Sequence, residues 1–474
     1  MRFAALACAL ALTVSSMVFA DEPPDASSVG AAPVAPGPPS LTDAALAARV
    51  DALARELAET RAEVAALRRE ADAAASASGS VFRLGGARAQ LFGFIQADAV
   101  AYDQASSDQL NETTGAPLNQ TRFLIRRARL RVDVDYGWVA GALEFDGNTI
   151  NGPVARIIDV EVSACWPRCG LASQPLVMAT IGLMRIPFGF EVQQKDYTRL
   201  FLERSNVMRA LFPGEFDLGA RLQGGWRWLR WQVAAMNGHP SGDTQFALVS
   251  PTQSKDFLGR VGADTELHPR VRIVSGFSAL WGTGYHSGTP DTKDQLVWRD
   301  SNGDGQVDTT ELIGIDGQPG LPSRTFTRYA VAGDLRVVGQ LPRLGQLEVY
   351  GEIVWATNLD RALMPADPIA AGRPLRELGW YVAATQELGR FASVGLRYDR
   401  YDPDADARAT VGASIVPRDQ TFATLAAIAA VEWRPRARLS LEYDRNTNAL
   451  GVTASGAPAT LGSDVVTIRG QVVF

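Results

Sequence analysis

After residue 20 this chain has no apolar run long enough to cross a bilayer as a helix, which takes roughly 18 residues. The longest candidate, Phe422 to Val431, is too short. Histidine is scarce, with three residues in 474. His239, His268 and His286 all fall in stretches that read as turns or loops, none beside a promising serine, so a hydrolase built on a Ser–His pair is disfavoured. Cysteine is scarcer still: beyond the first twenty residues only Cys165 and Cys169 remain. In an oxidising compartment their spacing predicts a local disulfide across a turn. A zinc site would need two further ligands close by, and the histidines lie far off in sequence. The net charge of −6 argues against a nucleic-acid partner. A mean hydropathy near zero argues against a disordered chain.

What is present begins with an export signal. Arg2 supplies a positive start, Phe3 to Val14 an apolar stretch, and Val18-Phe19-Ala20 a small-residue cleavage site before Asp21. Cys8 lies inside the apolar stretch and leaves with it. Residues 21–40 form a Pro-rich linker. Within 41–78, Leu46, Val50, Leu53, Leu57, Thr60, Val64, Leu67 and Ala71 alternate spacings of four and three. That heptad seam, flanked by charges, predicts a short α-helical coiled coil and with it an oligomer; a single amphipathic helix lying on the next domain is the other reading.

From residue 81 to 474 the pattern changes to period-two alternation. Counting back from Phe474 by twos gives Val472, Gly470, Ile468 and Val466, with Arg469, Gln471 and Thr467 among the residues between. An apolar face outward and a polar face inward is what a membrane-spanning β-strand needs. A last strand ending on Phe resembles the C-terminal insertion signal of bacterial outer-membrane proteins. Sixteen such segments are expected, near 89–102, 122–136, 138–146, 154–164, 176–185, 216–226, 228–237, 257–267, 271–281, 325–340, 344–357, 376–388, 390–402, 420–434, 437–447 and 464–474. Tight turns alternate with long polar loops, and the long ones all follow odd-numbered strands. A soluble sandwich has no reason to sort its loops that way. The expected fold is all-β: a transmembrane antiparallel barrel of about sixteen strands, preceded by the coiled coil.

FGFIQADA (Phe92–Ala99), RRARLRVDVDY (Arg126–Tyr136), IGLMRIPFGFE (Ile181–Glu191) and FLERSNVMRALFPGEFDLGARLQGGW (Phe201–Trp226) follow one another in this chain. In that order they resemble the phosphate-selective porin O and P family, from about Leu91 to Phe474. The resemblance implies a trimeric sixteen-stranded barrel in the bacterial outer membrane, with its third outer loop folded inward. It also implies passive diffusion of small anions, phosphate among them, and accommodates a periplasmic coiled coil.

On the segment 122–136, Arg127, Arg129 and Arg131 share a face with Asp133 and Asp135. Guanidiniums at every second residue stand about 7 Å apart and suit phosphate or carboxylate oxygens. They form either an open anion ladder or a cluster neutralised by Glu144, Asp146, Asp159 and Glu161 on the next two strands. The third outer loop adds Lys195, Arg199, Arg204 and Arg209 against Glu191, Asp196, Glu203 and Glu215, so its charges nearly balance. The expected anion path comprises Arg127, Arg129, Arg131, Lys195, Arg199 and Arg204. A general pore, a sugar pore and a barrel that only anchors the coiled coil are the alternatives.

One motif stands apart. Asp300, Asn302, Asp304, Gln306 (through its carbonyl), Asp308 and Glu311 are spaced as the ligands of an EF-hand loop, with Gly305 at its sharp turn. Without flanking helices, an isolated structural calcium site in the long fifth outer loop is expected.

Overall fold

A computed structural model describes residues 80–103, 120–169, 175–299, 304–411, 414–434, 436–448 and 463–474. The export signal, the Pro-rich linker and the heptad segment lie outside the described residues, as do Asp300 and Asn302 of the calcium motif.

Sixteen antiparallel strands close on themselves. They are β1 (Ala87–Tyr102), β2 (Arg122–Asp135), β3 (Val139–Asn148), β4 (Val154–Trp166), β5 (Val177–Arg185), β6 (Phe216–Trp226), β7 (Leu229–Met236) and β8 (Asp256–His268). β9 (Val271–His286), β10 (Arg324–Leu341), β11 (Gly345–Thr357), β12 (Arg376–Leu388), β13 (Ala392–Asp402), β14 (Phe422–Trp433), β15 (Ala437–Asn448) and β16 (Val465–Val473) complete the wall. Each pairs with its sequence neighbour, and β16 returns to β1 with Phe94 opposite Val473 and Tyr102 opposite Val465. The sixteen strands close from Phe94 to Tyr102, the condition for a sheet surrounded by lipid, and the short strand Ser80–Leu84 pairs on one side with the start of β1.

The alternation read from the sequence has a physical outlet. On β16, Val466, Ile468 and Val472 face outward, while Arg469 and Gln471 are buried inside. Phe474 exchanges two backbone hydrogen bonds with Gly93 at 2.8 and 2.9 Å. A Cβ on Gly93 would stand 2.5 Å from the Phe474 ring, so glycine is what lets the terminal aromatic seat against β1.

Even-to-odd connections are short: Arg227 and Arg343 take positive φ values of 51° and 72° in two of them. The exception is the segment after β4, where Cys165 and Cys169 form a disulfide with Cα atoms 5.0 Å apart. Odd-to-even connections carry the long segments. β9 and β10 run on past the expected ends to His286 and Arg324, and the connection between them contains a small hairpin, Gln295–Trp298 against Leu312–Ile315.

The third long connection, from Ile186 to Glu215, lies inside the barrel. It is rich in large apolar residues, and Phe188, Val192, Phe201, Leu202, Val207, Met208, Leu211 and Phe212 are all buried. They pack on lumen-facing Met236, Leu258, Leu280 and Val354 on one side. On the other side they meet Tyr350, Tyr381, Ala426 and Ile428. This explains why Phe422 to Val431 is the longest apolar run: one face of β14 meets the exterior, the other meets this loop.

Candidate functional site

The inward loop is held by its own charges to almost every part of the wall. Glu203 accepts both arms of Arg126, at 2.6 and 2.8 Å. Arg469 lies 3.1 Å away on the other side, itself paired with Asp98. Asp196 takes Arg129 at 2.6 Å and Arg127 at 3.4 Å, and a third guanidinium from Arg199 within the loop. Burial alone would raise the Asp196 carboxyl, yet Arg127, Arg129 and Arg199 hold it well below the usual carboxylate range. Glu203 behaves the same way: burial opposes ionisation, and Arg126 and Arg127 overcome it.

Wall carboxylates also capture the loop's backbone. Glu352 accepts from the N–H groups of Phe190 and Glu191, and Glu442 from that of Leu202. Asp399 accepts from both the backbone and side-chain amides of Asn206. Arg397, Arg438, Arg469 and Gln471 donate to loop carbonyls at Glu203, Arg199, Leu202 and Tyr197. Those from Arg397, Arg438 and Arg469 are charge-assisted, roughly twice as strong as neutral ones. Distributed over the circumference, they fix the loop across the lumen.

The arginines singled out from the sequence fall into this scheme. Arg127, Arg129 and Arg131 do point inward, and all three are ion-paired. Arg129 meets Asp146 at 3.1 Å; Arg131 meets Asp133 at 2.9, Glu144 at 3.0 and Asp159 at 2.5 Å. Of the two arrangements the residues allowed, the neutralised cluster is the one built. Arg199 and Arg204 are buried. Arg204 donates to the carbonyls of Phe212 and Pro213 and pairs with Glu215 at 3.2 Å, so it closes the loop on itself. Lys195 is exposed, its Nζ 5.9 Å from the Tyr197 ring centre.

Two features escaped the alternation argument. β2 carries a bulge: Gln96 of β1 faces Arg127 and Ala97 faces Ile125, so Arg126 is the extra residue. Above the bulge the faces exchange, which turns Arg126 inward and leaves Phe123 89% exposed. The signal was in the sequence, since two adjacent arginines on one strand cannot both avoid lipid without such a break. The second feature is Arg209, on the short helix Asn206–Leu211. It is exposed to the lumen, and among the described residues no carboxylate lies within ion-pair distance of it.

The loop leaves cavities on both sides. Toward the short turns lies one of about 420 Å³, where Arg434, Arg436 and Arg438 face Glu348, Glu387 and Glu432. Toward the long loops lie two, of about 300 and 270 Å³, sharing Arg126, Glu203, Arg204 and Arg209.

Of the calcium motif, the described part shows Gly305 at φ +70° and the Asp304 carboxylate accepting from the Gln306 N–H at 2.7 Å. Glu311 is buried and accepts from the Trp298 indole at 3.0 Å. Asp308 gives its carbonyl to the Glu311 N–H at 3.0 Å. Among the described residues no group of three or more His, Cys, Asp or Glu is arranged to hold a metal.

Comparison with known protein families finds no match, and no curated protein matches the chain in sequence. Solved structures do match. The outer membrane channel DcaP of Acinetobacter baumannii aligns over 84% of this chain and 100% of its own, at 12% identity and a TM-score of 0.50. The anion-selective porin from Comamonas acidovorans aligns over 82% and 100%, at 10% identity and a TM-score of 0.47. The trimer form of Vibrio cholerae OmpT gives 82% and 100%, 10% identity and 0.46. Identities this low bear on the fold alone, and the DcaP likeness says that the two chains share one.

Proposed function

We propose that this chain is an outer-membrane porin, a water-filled channel through which small anions, phosphate among them, diffuse passively. The observation that carries the reading is the loop Ile186–Glu215 tied across a closed barrel, with charged cavities on both sides of it. A barrel that served only as an anchor would have no need of a fixed constriction between two polar vestibules. Anion preference rests on the lumen cations without a carboxylate partner among the described residues, Arg209 and Lys195 on the loop and Arg122 on the wall. The paired state of Arg127, Arg129 and Arg131 favours a second reading, a general porin with little charge selectivity. The zero-current potential of the purified protein in a planar bilayer under a salt gradient, followed by phosphate titration, separates the two. Anion selectivity with saturable phosphate block supports the first; no selectivity supports the second; absence of conductance overturns both.

The assembly belongs to the same proposal: a homotrimer in outer-membrane lipid, with the heptad segment in the periplasm. So does calcium in the fifth outer loop, bound by Asp304, Gln306, Asp308 and Glu311 together with Asp300 and Asn302, to order that loop. Trp298 beside Glu311 supplies a readout. Terbium should give indole-sensitised emission that saturates and is displaced by calcium, and Glu311→Gln should abolish it. Absence of sensitised emission in the unaltered protein would remove the site.

A further inference from the structure

The cavity of about 300 Å³ between the inward loop and the long-loop mouth is lined by charges of both signs, and most of them are already used. Arg126 is taken by Glu203, Arg469 by Asp98, and Arg397 by Glu191 and Asp399. What is left over is unusual. Arg209 has no carboxylate partner among the described residues, and Arg122 spends one nitrogen on the Ile150 carbonyl at 2.8 Å. Across from these cations, Glu442 and Asp444 stand two residues apart on β15, both lining the cavity. Neither is ion-paired among the described residues. Glu442 accepts the Leu202 N–H and shares a side-chain hydrogen bond with Asp444, whose Oδ1 is shielded from solvent with no hydrogen-bond partner of its own.

Such a remainder calls for a donor, because a carboxylate oxygen shielded from solvent loses its hydration unless a hydrogen bond replaces it. An anion entering alone could satisfy Arg209 and Arg122 but would face two carboxylates. A cation entering alone would satisfy Glu442 and Asp444 but face two guanidiniums. A solute carrying both charges satisfies both sides at once. We propose that this cavity is a binding site for zwitterionic amino-acid-type solutes, the carboxylate held by Arg209 and Arg122 and the ammonium by Glu442 and Asp444. Its volume, at the lower end of small-ligand sites, suits a free amino acid or a short peptide end. The site rests on the channel reading and refines it: permeation of amphoteric solutes would begin by capture at the mouth of the constriction.

The test uses L-alanine and its two one-charge analogues, propionate, which lacks the ammonium, and ethylammonium, which lacks the carboxylate. In single channels of the whole protein, alanine should interrupt the current saturably at a concentration about tenfold below either analogue, the equivalent of about 1.4 kcal/mol. Arg209→Gln and Asp444→Asn should each bring alanine to the level of the analogues. Propionate acting as well as alanine would reduce the site to an anion site, and ethylammonium acting as well would reduce it to a cation site; either overturns the proposal. Saturation-transfer NMR of alanine with the protein in detergent micelles reads the same site without current. Transfer with no conductance would refute the channel and keep the site; conductance with no transfer and no block would do the reverse.

Discussion

Replacing Asp196 with asparagine removes the charge around which the loop is fixed. Asp196 is fully buried among Arg129 at 2.6 Å, Arg127 at 3.4 Å and Arg199. Breaking a buried pair by removing one partner costs about 3–5 kcal/mol, because the remaining charge is left uncompensated. Three guanidiniums would be left here, and the remaining tethers at Glu203, Glu352 and Glu442 would have to carry the loop. The lumen also gains one net positive charge. At about 5 Å from a passing ion, one charge in water is worth about 0.8 kcal/mol, reduced to about 0.5 by screening in 0.1 M salt. That favours an anion by about twofold and disfavours a cation by about as much, so their permeability ratio should rise about fivefold. The assay is the zero-current potential of Asp196→Asn beside the unaltered protein in one bilayer set-up, with single-channel current noise recorded in parallel. The expected result is a shift toward anions with noisier open-state current from a loosened loop. Unchanged selectivity and noise would refute the view that Asp196 neutralises Arg127 and Arg129 at the constriction.

Acid should not release the loop early. Asp196 and Glu203 have folded-state values below those of the unfolded chain, which are about 3.9 and 4.3. Their contribution is therefore complete above those values and lost only as pH falls through the lower, folded ones. The Asp196 and Glu203 pairs should therefore persist from pH 7 to pH 5, and a step increase in conductance on that path that Asp399→Asn does not remove would contradict the tether. Gly93→Val should unseat Phe474 and slow barrel formation, seen as an increased share of the unfolded band when folding is followed by heat-modifiable gel mobility; unchanged folding would contradict the packing at strand closure. Cys165→Ser should lower stability by about 2 kcal/mol, the chain-entropy value for so short a loop. Urea unfolding in detergent, with and without reductant, checks this: reductant should destabilise the unaltered protein and leave the variant as it was.

The barrel was legible because strand alternation is local. Each residue's side is set by its neighbours two positions away, and lipid outside with water inside imposes that pattern on every strand. So the strand at 216–226 has the expected ends and that at 122–136 ends one residue early, while the apolar Val466, Ile468 and Val472 face out. Alternation also put Arg127, Arg129 and Arg131 on one inward face, while the inward loop that meets them was implied by the resemblance and not by the pattern. The sequence left open whether those arginines were free, because their partners Asp196 and Glu203 lie about seventy residues on and reach them only when the loop folds into the lumen. Arg126 was not among the inward-facing residues expected, because one inserted residue exchanges the faces of a strand without altering its composition. Glu442 and Asp444 came into view only in three dimensions, and Arg209, counted from the sequence among nearly balanced loop charges, stood out as unpaired only there. Whether a charge is spent or left over depends on which distant residue arrives beside it, and only the closed barrel decides that.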